Sequence, residues 1–173
     1  SSSNYENFKK IKLKTINPSK LIKKYSKDKP LYIKIDLEGI DYIVLENLFK
    51  NKIRPEYLSV ECHNFNVLLS LMKFKYKSYN ISPGIKMKKF YNNFKIKNKV
   101  FNFTNETSGP FGKHITTPWV TEDYLFQSLL TNRFLNWFDI HATDSIVPQK
   151  KIIDFKNEIE IKEFFLSLKS SIN

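Results

Sequence analysis

Two carboxylates close an apolar stretch of the chain, and their spacing suits acid–base or metal chemistry. Asp36 and Glu38 follow the stretch 31–35 and lie two positions apart, so on an extended backbone both side chains lean to the same face. Such a pair could act as a general base or as oxygen ligands of a divalent cation. For Asp36 we favour a site role, because an aspartate that ends a buried apolar strand costs free energy. Glu38 has an alternative role, which is to stabilise the positive N-terminal end of the following helix.

A second acidic side chain, with a histidine two positions later, follows the next apolar stretch. Glu61 and His63 end the stretch that begins at Tyr57 and repeat the two-residue spacing. If the two stretches are neighbouring parallel strands, their carboxyl ends bring these side chains and the first carboxylate pair to one rim of the sheet. That cluster could hold a metal ion, or bind and deprotonate a hydroxyl group. Taken alone, His63 is more simply a partly exposed neighbour of a helix cap.

A sharply turned loop supplies the candidates for substrate binding. The five residues 108–112, which begin with Ser108 and Gly109, contain two glycines and a proline. His114 follows two positions after this segment. The loop lacks the spacing and the lysine–threonine ending of a phosphate-binding loop. It is either a structural turn or a lid that lines an acceptor pocket with His114 near its mouth.

Three further polar residues have weaker claims to a site. Cys62 precedes a histidine, but without a positioned partner we interpret it as a buried structural thiol. Asp139 and His141 alternate along a late apolar stretch, and they could point to the same rim or could be surface residues. Three Asn-x-Ser/Thr tripeptides are expected by chance in a chain so rich in asparagine.

Strand and helix patterns alternate with short connections in the first half of the chain, which predicts an α/β fold with a doubly wound sheet. Apolar runs predict parallel strands at 31–35, 57–62 and 76–81. Helical spacing predicts a short helix after Asn17 and Pro18, a second helix over 40–50, and a third after Asn64 as its cap. The expected core is listed here: Ile33, Ile35, Val44, Leu48, Leu58, Val60, Leu68 and Phe138.

The remaining segments are less regular. Alternation over 8–16 predicts a half-exposed strand, and 134–142 predicts a late strand. We expect a short helix over 122–130 and a C-terminal helix over 158–169. Because 173 residues suit a single core, we expect one domain over 1–173.

The net charge of +12 comes almost entirely from lysine, since the chain has only two arginines, Arg54 and Arg133. Proteins that read nucleic-acid sequence usually cluster arginine on one face, whereas these lysines are spread along the chain. We therefore expect no specific nucleic-acid partner. The single cysteine and the absence of a long apolar run favour a cytoplasmic protein that does not insert into a membrane.

Four segments resemble the FkbM-type family of S-adenosylmethionine-dependent methyltransferases. They are 34–39 (KIDLEG), 58–61 (LSVE), 108–112 (SGPFG) with Trp119, and 137–142 (WFDIHA). The resemblance implies part of a class I methyltransferase (Rossmann-like) sheet, mostly parallel with a late antiparallel strand. It implies methyl transfer from S-adenosylmethionine to a hydroxyl of a small molecule or sugar.

The resemblance also implies roles for the residues singled out above. Asp36, Glu61 and His63 would be catalytic. Asp36, Glu38 and Gly39 would contact the cofactor. Ser108, Gly109 and His114 would contact the acceptor, and a divalent metal remains an option.

One feature of the family is missing from this sequence. Family members carry a glycine-rich turn for the cofactor upstream of these segments, but no glycine precedes Gly39. We therefore expect the C-terminal portion of a methyltransferase domain, inactive in isolation, in which the strand at 31–35 lacks one sheet neighbour. The alternative hypothesis is a non-catalytic basic module that binds an anionic glycan or nucleic acid.

Overall fold

A computed structural model describes residues 11–12, 14–26, 30–105, 107–131 and 138–149 of the chain. The fold is mixed α/β, with five helices, six strands and two short 3₁₀ turns in these ranges. The helices are α1 (Pro18–Tyr25), α2 (Asp41–Lys50), α3 (Phe65–Met72), α4 (Met87–Phe90) and α5 (Glu122–Thr131). The strands are β1 (Tyr32–Ile35), β2 (Tyr57–Glu61), β3 (Ser78–Pro83), β4 (Phe94–Ile96), β5 (Lys99–Phe101) and β6 (Phe138–Thr143).

Four strands form one mixed sheet in the order β1-β2-β6-β3. β1 and β2 are parallel neighbours, with Ile35 opposite Val60, which confirms the prediction for the strands that end at Asp36 and Glu61. β6 is antiparallel to both of its neighbours, so β1, β2 and β3 all run in one direction. Among the strands that the structure describes, β1 pairs only with β2 and therefore lies at the edge. β4 and β5 form a separate hairpin.

One face of the sheet carries the hydrophobic core. Alternate residues of β1, β2 and β6, such as Ile35, Leu58 and Ile140, are buried in one cluster with Leu45 of α2 and Leu71 of α3. Six of the eight predicted core residues are buried in that cluster, and the other two, Ile33 and Val44, pack against it while partly exposed. Burial of this apolar surface is the main source of the sheet's stability.

The opposite face of the sheet is polar and also buried. Ser59 and Glu61 of β2, Asp139 and His141 of β6, and Asn80 of β3 are all at most 8% exposed. The segment between β3 and α5 covers part of this face, since the amide of Asn80 donates to the carbonyls of Thr117 and Pro118. Buried polar groups cost free energy unless they are paired, so this face must hold a connected set of interactions.

The helix predictions agree with the structure, and their caps explain why. Asn17 and Asn64 each accept a backbone N–H of the helix that follows, from Lys20 and Val67 respectively. The predicted helices over 40–50 and 122–130 correspond to α2 and α5.

Two strand predictions need correction. β3 spans Ser78–Pro83 rather than 76–81, because Pro83 occupies the last strand position, where a missing N–H is tolerated. The described residues within 8–16 form no strand, and Ile11 and Ile16 there are exposed. The remainder of that segment, residues 134–137 of the late strand, and the C-terminal helix over 158–169 lie outside the described residues.

Candidate functional site

The loop between β1 and α2 positions the first carboxylate pair. Its backbone turns through left-handed conformations at Glu38 (φ 53°) and Gly39 (φ 100°), where glycine is favoured. The buried carboxylate of Asp41 accepts the backbone N–H of Leu37 at 2.9 Å and of Gly39 at 3.0 Å. These two bonds hold the loop in one shape and so hold Asp36 at the end of β1.

Glu38 does not cap α2, so that alternative is wrong. The N-cap residue of α2 is Ile40, which makes no side-chain capping bond. The Glu38 side chain is 88% exposed and points toward His63, with 4.0 Å between its Oε2 and the histidine Nε2. Instead, the carboxylate of Asp41, in the first turn of α2, accepts the backbone N–H groups of this loop.

The three predicted catalytic residues meet at the carboxyl ends of β1 and β2. One carboxylate oxygen of Asp36, one of Glu61 and one ring nitrogen of His63 all lie within 4.8 Å of one another. His63 Nε2 lies 3.0 Å from Glu61 Oε2. We call Asp36, Glu61 and His63 the rim cluster. Glu38 lies at its outer side, so the four side chains predicted at one rim are together.

A lysine and a buried aspartate, Lys34 and Asp139, lie next to the rim cluster. Lys34 Nζ donates to Asp139 Oδ1 at 2.5 Å and lies 3.6 Å from Asp36 Oδ2. Asp139 is fully buried and lies directly opposite Glu61 across the β2–β6 pair. The surface alternative for Asp139 is therefore wrong, and Lys34 links this carboxylate to the cluster.

The pKa values of the two carboxyl groups in the cluster are shifted in opposite directions. Burial, a hydrogen bond with Asp36 and the charge of Asp36 raise the pKa of Glu61 to about 7. The hydrogen bond from Glu61 holds the pKa of Asp36 below its usual value. The protonated Glu61 thus donates to an ionised Asp36, and the cluster gains or loses a proton near neutral pH, where a general base is most effective.

His141 lies on the same polar face but deeper in the molecule. It is opposite Ser59 across the strand pair, and its Nε2 has no hydrogen-bond partner among the described residues. Burial lowers the pKa of His141 to about 4, so the ring is neutral. As with Asp139, the surface alternative is wrong.

Cys62 behaves as the sequence predicted. Its thiol is partly buried, and burial raises its pKa to about 12, so it stays protonated and a poor nucleophile.

The predicted acceptor loop makes its contacts elsewhere. Phe111 stacks on Tyr32 with ring centroids 4.4 Å apart, and Gly112 lies against the ring of Tyr57. Tyr32 and Tyr57 are the first residues of β1 and β2, whereas the rim cluster lies at the opposite, carboxyl ends of these two strands. The structure therefore does not bring Ser108, Gly109 or His114 to the rim through these contacts, and their acceptor-binding role stays a prediction.

The rim cluster is accessible to solvent. A cavity of about 310 Å³ lies beside β3, and its lining includes Asn80, Phe90 and Tyr124 but no member of the cluster. At the rim, the side chains of Asp36 and His63 are 45% and 23% exposed. A ligand could therefore reach the cluster directly from solvent.

Sequence analysis missed two residues that organise the site, Lys34 and Asp41. Lys34 had a usable signal, because Tyr32, Lys34 and Asp36 alternate with Ile33 and Ile35 and so mark a polar face of β1. Asp41 had none, since an aspartate in the first turn of a helix is favoured by the helix dipole alone.

Comparisons of the chain with protein-family models, with curated proteins and with solved structures found no match. The resemblance to the FkbM family therefore stays a prediction. Among the described residues, no helix has the length and apolar character needed to cross a membrane.

The rim cluster supports two kinds of chemistry. The carboxyl pair can exchange a proton with a bound hydroxyl, because burial and the neighbouring Asp36 raise the pKa of Glu61 to about 7. The same two carboxylates and the imidazole of His63 are also suitable ligands for a divalent ion.

Proposed function

We propose that this chain is part of an S-adenosylmethionine-dependent O-methyltransferase of the FkbM type. The observation that supports the proposal is the meeting of Asp36, Glu61 and His63 at the carboxyl ends of two parallel neighbouring strands. Ligands of open α/β sheets bind at that end of the strands. The late antiparallel strand β6 is also consistent with the sheet that the resemblance implies.

Methyl transfer to a hydroxyl requires a proton acceptor and correct alignment. Asp36 is exposed and carries a lowered pKa, so it is ionised and accepts the hydroxyl proton of the acceptor. Glu61 donates a hydrogen bond to Asp36 and keeps its carboxylate in place. His63, 3.0 Å from Glu61, fixes the orientation of that second carboxyl group. The acceptor oxygen would then be the nucleophile, and S-adenosylmethionine, when bound, would supply the methyl group with S-adenosylhomocysteine as the leaving group.

The end of β1 offers part of a cofactor site. S-adenosylmethionine, when bound, supplies an electrophilic methyl group on a sulfonium centre. Asp36 and Glu38 present exposed carboxylates that suit ammonium or ribose hydroxyl groups. Gly39 has nothing within 4 Å of the position of an added Cβ, so a ligand could approach its backbone closely. These residues fit the polar groups of the cofactor, but no glycine-rich turn precedes them in the sequence.

Calorimetry and a product assay on the natural full-length protein test this function. We expect S-adenosylmethionine to bind, and S-adenosylhomocysteine to be released when a panel of sugars and hydroxylated small molecules is added. A full-length protein that binds no S-adenosylmethionine would refute the proposal.

A second candidate function is a non-catalytic module that binds an anionic glycan. Three exposed lysines, Lys86, Lys88 and Lys89, line an open cavity of about 420 Å³ together with Asn92 and Asn105. Lysine clusters attract sulfate and carboxylate groups through screened Coulomb interactions. Titration with a sulfated oligosaccharide distinguishes the candidates, because saturable binding in a protein that ignores S-adenosylmethionine would favour this one.

A further inference from the structure

We propose that the rim cluster is a binding site for one divalent transition-metal ion, with Asp36, Glu61 and His63 as its ligands. One potential ligand atom from each residue lies within 4.8 Å of the other two. Ligand atoms that bind a common ion at about 2.0–2.2 Å are separated by about 3–4 Å. Small rotations of the Asp36 and His63 side chains, which are both accessible to solvent, bring the three atoms to that spacing.

The chemistry of the donor set selects the class of ion. Two carboxylates and one imidazole suit Mn²⁺, Fe²⁺ or Zn²⁺, whereas Mg²⁺ and Ca²⁺ prefer oxygen ligands alone. Cys62 lies between two of the ligands in sequence, but its thiol is turned toward the carbonyl oxygen of Asn64, 3.7 Å away. The site is therefore a nitrogen–oxygen site and not a thiolate site.

A buried, incompletely paired carboxylate gives independent support. Asp139 is fully buried, and its Oδ2 has no hydrogen-bond partner within the described part of the chain. It lies opposite Glu61 on the same sheet face, with Lys34 bound to its other oxygen. A buried carboxylate oxygen without a partner is costly, and a cation at the neighbouring Glu61 lowers that cost.

The charge of the region points the same way. Four carboxylates, those of Asp36, Glu38, Glu61 and Asp139, are gathered around Lys34 and His63. A histidine that binds a metal ion is neutral, so when all four carboxylates are ionised Lys34 offsets only one of their charges. A divalent ion at the rim offsets two more. The open side of the cluster leaves room for solvent ligands or for a substrate oxygen.

The metal site does not depend on methyl transfer, because its evidence is the donor geometry and the charge balance. If an acceptor hydroxyl also binds there, the ion would lower the pKa of that hydroxyl and hold its oxygen. The test below therefore uses the ion alone.

Electron paramagnetic resonance of Mn²⁺ tests the site on the chain over 1–173 after treatment with a chelator. We expect the free Mn²⁺ signal to fall until one ion per chain is bound. Asp36→Asn and His63→Gln should each weaken binding at least about tenfold, since even partners outside the ligand shell change metal affinity by that much. Both side chains are accessible, so these variants should fold, which circular dichroism checks.

A matched control separates the site from general binding. Asp123→Asn changes an exposed aspartate in the first turn of α5. It should bind Mn²⁺ as the unchanged chain does, and Mn²⁺ should raise the melting temperature of this control but not of Asp36→Asn. The proposal is overturned if the chain binds no ion with saturation, or if Asp36→Asn binds as tightly as the control.

Discussion

At the level of single residues, the rim cluster was visible in the sequence because its members follow apolar strands at two-residue spacing. Asp36 and Glu61 each end a strand, and the parallel pairing of those strands brings them together. The ion pair between Lys34 and Asp139 was not predicted, because it spans 105 positions and depends on the strand order. A non-local ion pair of this kind has no local sequence pattern.

His141 makes the chain sensitive to acid. Its pKa is about 4 in the folded protein but near 6.5 when exposed, so the unfolded chain takes up a proton first as the pH falls between those values. The contribution of neutral His141 to the free energy of unfolding is therefore complete above about pH 6.5, and it is lost as the pH falls toward about 4. The expected loss in the free energy of unfolding is about 3 kcal/mol.

Denaturant unfolding of the chain and of His141→Gln over that pH range measures this effect. Whatever its stability at neutral pH, the variant should lose less stability with acid than the unchanged chain does. His114→Gln serves as the control and should keep the full slope. Identical slopes for the chain and for His141→Gln would mean that another group causes the acid sensitivity.

At the level of elements, the helices could be predicted because their signals are local. Asn17 and Asn64 cap the helices that follow them, and apolar residues recur at helical spacing in α2 and α3. The β4–β5 hairpin was not predicted, because its strands have only three residues each, which is too few to show a strand pattern. The direction of the 108–112 loop depends on stacking of Phe111 on Tyr32, which is a non-local contact.

The β1–α2 loop is the element that positions Asp36, and Asp41 is its main support. Asp41→Ala removes the acceptor of two backbone N–H groups, those of Leu37 and Gly39. We expect the free energy of unfolding to fall by about 2–3 kcal/mol, because hydrogen bonds to a charged group are lost. Chemical denaturation measures the change.

Asp123→Ala is the matched control for that experiment, since Asp123 also lies in the first turn of a helix but is exposed. It should cost no more than about 0.5 kcal/mol. Equal losses for the two variants would show that the helix dipole, rather than the loop amides, explains the role of Asp41.

At the level of the whole molecule, the sheet has an apolar face and a buried polar face. The sequence indicated parallel strands β1 and β2 correctly, but it gave no sign that β6 would lie between β2 and β3. Strand order follows from long-range packing, so the pairing of Glu61 with Asp139 and of Ser59 with His141 could not be predicted. The polar face exists only once that order is known.

The distribution of charge predicts how strongly and how selectively the molecule binds polyanions. Its net charge of +12 comes from scattered lysines, so binding to duplex DNA should be weak and alike for unrelated sequences. Between about 50 and 200 mM salt the affinity should fall steeply, because bound counterions are released from the phosphates. Fluorescence anisotropy with two unrelated duplexes measures this, and a sequence-selective complex that persists at high salt would contradict it.

The central claim is that Asp36 and Glu61 act together on an acceptor hydroxyl, and a double-mutant cycle tests it most directly. The measurement is the rate of S-adenosylhomocysteine release by the full-length protein, the single variants Asp36→Asn and Glu61→Gln, and the double variant. We predict that Asp36→Asn lowers turnover by about 10²-fold or more, the scale of losing a positioned base. The double variant should be hardly slower than Asp36→Asn, because groups that act as a unit are not additive. Turnover of Asp36→Asn at the unchanged rate would contradict the account.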